Sequence, residues 1–109
     1  MASLNKNLVG WFEIPVNDMD RAVHFYETVF GLKLFRNKMG PLEMAWFPWT
    51  KEGSGATGSL IKHPGFYKPS ADGALIYFTS MSGDVNTELN RVELAGGKII
   101  IHKKLIALD

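Results

Sequence analysis

One pattern, written twice, limits what this chain can become. An alternating apolar strand leads into an amphipathic helix that a glycine stops. The first copy ends Glu27-Thr-Val-Phe-Gly-Leu-Lys-Leu, and the second ends Arg91-Val-Glu-Leu-Ala-Gly-Gly-Lys-Ile-Ile. Repeated units of this size point to two similar modules built side by side. The first strand spans Val9 to Val16, where Phe12, Ile14 and Val16 alternate with Trp11, Glu13 and Pro15. Period-two alternation separates two faces. The apolar one is expected to pack on a helix and the mixed one to stay open.

Asn17 and Asp18 offer an N-cap, and a helix is expected to run to about Phe30. Ala22, Val23, Tyr26, Val29 and Phe30 form its stripe, with Met19 one turn earlier. Arg21 and His24 lie off that stripe and should face water. Gly31 suits the left-handed position after a helix. Strands are then expected at Leu32–Phe35, Glu43–Trp49 and Gly58–Lys62, with a turn at Met39-Gly40-Pro41. A Gly/Ser loop spans Thr50–Thr57, and another loop spans His63–Asp72. The cycle restarts with a strand at Ala74–Thr79 and a helix opened by Ser82, Gly83 and Asp84. Val85, Leu89, Val92 and Ala95 form its stripe. A strand at Lys98–His102 and an apolar fragment at Leu105–Leu108 complete the chain.

The 109 residues make one small domain, 46% hydrophobic and 21% charged. Twelve basic against 11 acidic residues leave a formal charge of +1, and the lysines are scattered. No nucleic-acid partner is expected from that balance. Absence of cysteine excludes disulfides, thiolate metal sites and a cysteine nucleophile, and fits a cytoplasmic setting. No apolar run long enough for a membrane span exists, and Met1 to Asn7 show no signal-peptide pattern.

Gly10 to Leu34, GWFEIPVNDMDRAVHFYETVFGLKL, resembles the opening module of the vicinal oxygen chelate superfamily. That superfamily comprises glyoxalase I, bleomycin-resistance proteins and extradiol dioxygenases. Val16, Asp18, Arg21, Ala22, Phe25 and Tyr26, with the stop Phe30-Gly31-Leu32, carry the likeness. Weaker similarity continues through Trp46-Phe47-Pro48, Gly58–Lys62, Lys68-Pro69-Ser70 and the helix end from Val92 to Lys98.

The resemblance implies an α+β fold of paired βαβββ modules forming one curled mixed sheet. It makes residues 1–109 a single glyoxalase/bleomycin-resistance-like domain, with module one at 9–62 and an incomplete module two at 74–109. The second module is short by about two strands and a turn. That leaves a truncated chain, or an edge covered by a partner. A homodimer is expected.

Metal-dependent members of the superfamily hold a divalent ion with inward His and carboxylate side chains. The resemblance places Trp11 and Leu75 at the two His positions, Ala56–Lys62 contains no acid, and the last strand is not present. No cofactor is therefore expected, and a divalent metal is disfavoured. The reading that follows is a small-molecule-binding, glyoxalase-like protein. The alternative is a metal-dependent lyase or isomerase, lactoylglutathione lyase-like, or a dioxygenase-related enzyme.

Trp11, Glu13, Trp46, Phe47, Leu75 and Tyr77 are the expected ligand-binding residues, with Glu13 the one candidate for a catalytic base or hydrogen-bond acceptor. In the second module Leu75, Tyr77 and Thr79 are expected to face the ligand while Ile76 and Phe78 pack on the helix. For Trp46, Phe47 and Trp49, core packing or an interface is favoured over an aromatic wall for a ligand. Gly53 to Gly58 matches G-x-G-x-x-G, but a strand rather than a helix follows, so no dinucleotide site is assigned. His24 with Glu27, and the single histidines His63 and His102, are given no role.

Overall fold

The computed structural model describes residues 6–101 and residue 103. The elements run β1 (Phe12–Pro15), α1 (Met19–Phe30), β2 (Phe35–Met39), β3 (Leu42–Trp46), β4 (Gly58–Lys62) and α2 (Val85–Val92). The four strands make one mixed sheet in the order β1-β4-β3-β2. β1 runs parallel to β4, and the other two pairs are antiparallel. The architecture is α+β, a βαβββ module followed by a second helix.

α1 begins where Asp18, in an extended conformation, accepts a hydrogen bond from the Arg21 amide at 3.1 Å. It ends at Gly31, whose φ of 66° is the left-handed conformation a side chain would resist. The Leu32 amide then folds back onto the Glu27 carbonyl, the closing bond of a Schellman motif. α2 finishes the same way: the Gly97 amide donates to the Val92 carbonyl at 2.8 Å, with Gly96 at φ 91°. The sequence repeat is thus a repeat of one helix-ending device.

Register decides which side chains share a face. Ile14, Leu60 and Ala45 are cross-strand neighbours. They face α1 and join Met19, Val23, Leu34 and Phe47 in the core, with Phe12 and Val16 packed against it. The apolar face of β1 lies as the alternation predicts. At the end of that row Arg36 reaches Asp20 on α1 at 2.6 Å and Glu43 on β3 at 2.8 Å. Gly58 is required where it stands, because a Cβ there would overlap the Phe12 carbonyl and ring.

Strand limits differ from expectation for identifiable reasons. Residues 32–34 do not form a strand. The amides of Leu32 and Leu34 are spent on Glu27, the second on its side chain at 2.9 Å, so the β2 ladder starts at Phe35. β3 stops at Trp46 rather than Trp49. Phe47 still donates to Gly58, but Pro48 has no N–H to continue the ladder. β1 is confined to the four residues that β4 pairs.

The second module departs further. Neither Ala74–Thr79 nor residues 98–101 form a strand, so among the described residues no second set of strands joins the sheet. His102 and Leu105–Leu108 lie outside the described residues. Alternation in ALIYFT specifies two faces, but a strand also needs a neighbour for its amides and carbonyls. β1 finds one in β4; no described segment plays that part for Ala74–Thr79. Phe78 holds the segment to the core through its ring alone, 4.9 Å from Phe30 and 5.7 Å from Phe47 between centroids. α2 does form, from Val85 to Val92, and packs on α1. It packs so closely that a Cβ at Gly97 would overlap the Phe25 ring.

Candidate functional site

The face of the sheet turned away from α1 carries the row Glu13, Ser59, Trp46, Phe35, one residue from each strand. Trp11, just before β1, meets Trp46 edge to face at 5.6 Å. Phe35 extends the aromatic surface on the other side of Trp46 at 6.3 Å. Trp11 and Trp46 remain about two-fifths exposed, and Phe35 is two-thirds exposed. Glu13 is exposed beside them. Three of the six expected ligand residues, Trp11, Glu13 and Trp46, therefore share one open face.

The other three do not join them. Phe47 follows Trp46 and so points through the sheet, where it is buried in the core against Phe12 and Tyr26. Leu75 and Tyr77 are about four-fifths exposed, because the segment that carries them joins no sheet among the described residues. A shared hollow with Leu75 and Tyr77 on its wall is not formed among the described residues. Phe47 and Tyr77 instead border a cleft of about 350 Å³ on the helix side, between the start of β1, the loop after β3 and residues 76–81. This cleft and the aromatic row thus lie on opposite sides of the sheet.

Two groups near the row have no hydrogen-bond partner in the protein. The Ser59 hydroxyl is fully buried between Glu13 and Trp46, and the Asn37 amide nitrogen lies one register step away, beside Met44. Buried polar groups without partners are uncommon and costly. Together with Phe35 they were not foreseen. Their place depends on pairing, and the strand expected at Leu32–Phe35 ends before Asn37.

Among the described residues of the four strands, the polar side chains on this face include the Glu13 carboxylate, the Ser59 hydroxyl and the Asn37 amide. One carboxylate without a histidine does not suit a divalent ion that asks for several anionic or imidazole ligands. Among the described residues no three His, Cys, Asp or Glu side chains are grouped as metal ligands would be.

The remaining titratable candidates are engaged structurally. Glu27 accepts from the Leu34 amide and lies 3.9 Å from Lys33. His24 is exposed. His63 accepts from the Gly65 amide at 3.1 Å and sits against Phe66. Burial in the aromatic cluster pushes the Tyr26 phenol above its ordinary value. Gly58 opens β4, so the glycine-rich loop leads into a strand and presents no helix N-terminus to a phosphate. Among the described residues no helix is long and apolar enough to cross a membrane.

Comparison with known proteins agrees with this geometry. Residues 9–47 match the family described as bleomycin resistance protein-like N-terminal. A glyoxalase I mutant from Zea mays has a similar structure, with a TM-score of 0.52 and 18% sequence identity. The match covers 79% of this chain and 32% of that one, so this chain spans about a third of the length of that relative. No curated protein matches the sequence. The matched opening segment and the glyoxalase I likeness lead to one statement: residues 9–47 are similar to the bleomycin resistance protein-like N-terminal family, and the described chain has a glyoxalase-like fold, a βαβββ module.

Proposed function

We propose that this chain binds a small organic molecule on the face built by Trp11, Trp46 and Phe35, without a resident metal. The observation that carries this is the Trp11–Trp46 pair. Two indoles held edge to face on an open sheet present both a flat wall and an edge to a planar ligand. Glu13 stands beside them as a hydrogen-bond acceptor. The Ser59 hydroxyl and the Asn37 amide nitrogen lie buried close by without partners of their own. Such a surface needs only shape and a few polar points to hold a ligand. The likeness to bleomycin resistance protein-like sequences supports a sequestering role over a chemical one.

A second copy of the chain is the partner that suits this reading. β1 and β2 are both edges of the sheet, and Leu75, Tyr77 and Ile100 are exposed apolar side chains. Unpaired edges and apolar patches favour association. A cysteine-free chain fits action in the cytoplasm.

The rival reading, a metal-dependent lyase, draws on the glyoxalase I likeness and requires ligands that the described face lacks. Thermal shift across a panel of planar organic compounds tests the proposal, with metal analysis of the purified protein alongside. Saturable stabilisation that persists in Glu13→Ala, without turnover, is the expected result. Stoichiometric nickel, zinc or iron, or turnover abolished by Glu13→Ala, would replace sequestration with catalysis.

A further inference from the structure

The cleft on the helix side is independent of the aromatic row, because β1, β4 and β3 lie between them. Its walls come from four places in the chain: Phe12 of β1, Phe30 of α1, Phe47 after β3, and Phe78. Phe78 is the hub, with ring centroids 6.0 Å from Phe12, 4.9 Å from Phe30 and 5.7 Å from Phe47. It is nevertheless 39% exposed, so part of this ring system is bare where it meets the cleft. Among the described residues that line the cleft, none carries a charge. Hydroxyls occur mainly on the glycine-rich loop at its mouth, at Thr50, Ser54 and Thr57. The Thr57 hydroxyl is already committed to the Pro48 carbonyl at 3.0 Å.

We propose that this cleft is a second binding site, specific for a neutral, flat, apolar molecule of about two fused rings. A volume of about 350 Å³ lies at the lower end of what small-molecule sites offer. Aromatic walls meeting at tilted and edge-on angles favour a ring inserted among them. An ionised ligand would surrender its hydration and find no opposite charge in return, so the site selects against charge. Trp49, 63% exposed at the mouth, reports occupancy.

The test uses the full chain and the neutral probe phenylnaphthylamine, with anionic anilinonaphthalene sulfonate as its charged counterpart. The neutral probe is expected to give a saturable fluorescence gain and to quench Trp49. Trp49→Phe keeps the gain and loses most of the quenching. Ile76→Glu puts a carboxylate on a half-exposed wall position and weakens the neutral probe by about tenfold or more, roughly 1.4 kcal/mol. His24→Ala, exposed on α1 and outside the cleft, leaves it unchanged. The sulfonate binds at least about tenfold more weakly than the neutral probe. If Ile76→Glu loses its cooperative melt, Ser54→Trp in the exposed loop takes its place and blocks the mouth. No saturable gain, equal binding of both probes, indifference to Ile76→Glu or Ser54→Trp, or loss through His24→Ala would each overturn the proposal.

Discussion

The Arg91 guanidinium, on α2, donates to the backbone carbonyl of Val29 at 3.0 Å, in the last turn of α1. Carbonyls at a helix end have no partner within the helix, and a cation there also offsets the helix dipole. α1 has no basic residue of its own in that turn. The second half of the chain therefore completes the first. Arg91→Ala is expected to cost about 1 to 2 kcal/mol, from a charged hydrogen bond and a cap lost together. Arg91→Lys should recover part of it. Urea unfolding midpoints read both, and an unmoved midpoint for the alanine variant would deny the contact any weight.

Gly58 meets the Phe12 carbonyl and ring where β1 and β4 run parallel. Gly58→Ala must push those strands apart or displace the ring from the core. Overpacking of this kind costs about 1 to 3 kcal/mol, and the backbone clash puts this site at the upper end. Calorimetric melting is the direct measurement. A melting temperature within error of the parent would contradict the close approach.

Glu88 is buried at the start of α2 and accepts from the Ser80 hydroxyl at 2.7 Å and the Ser82 hydroxyl at 3.4 Å. Chiefly through Ser80, its carboxyl is held below the ordinary value of 4.5. A depressed carboxyl stabilises the fold above its unfolded value, and that stability disappears as pH falls through the folded one. Ser80→Ala should therefore lower the melting temperature at neutral pH. The gap from the parent should close as pH drops below 4.5. A pH-independent gap would mean that Ser80 acts by packing alone.

Arg36 ties β2 to α1 through Asp20 and to β3 through Glu43. Both carboxylates raise the guanidinium pKa, Asp20 foremost. The group remains well exposed, so solvent screens the network. Arg36→Ala should cost no more than about 1 kcal/mol, and less in high salt. A larger, salt-insensitive loss in chemical denaturation would assign the effect to the packing of the arginine stem.

Trp46 sits between Trp11 and Phe35 on the proposed binding face. Trp46→Ala should weaken ligand binding by about tenfold or more while leaving the melting temperature nearly unchanged, since exposed side chains contribute little to the core. Isothermal titration beside a thermal melt separates the two effects. Full binding by the variant would move the site elsewhere.

Local signals were legible wherever a single segment contained all its own partners. Asp18 and Gly31 bracket α1 as their side chains, or lack of one, require. Asp84 opens α2 by accepting from the Asn86 amide at 3.0 Å. The alternation of Phe12, Ile14 and Val16 against Trp11 and Glu13 placed the two faces of β1 correctly. The site was legible in part for the same reason: Trp46 ends β3 and Phe47 follows it, still bonded to Gly58, so the two face opposite ways. Both were expected as ligand residues, and one of them had to be core.

The amino-acid order alone determined the helix ends, the faces of β1 and the bleomycin resistance protein-like pattern of residues 9–47, because each rests on residues close in the chain. Tertiary structure alone decided that Phe35, Ser59 and Asn37 border the aromatic row, and that Arg91 caps α1. It also decided that ALIYFT joins no sheet among the described residues. A cross-strand neighbour or a distant cap is supplied by another segment, and no property of the residue that receives it says which segment will arrive.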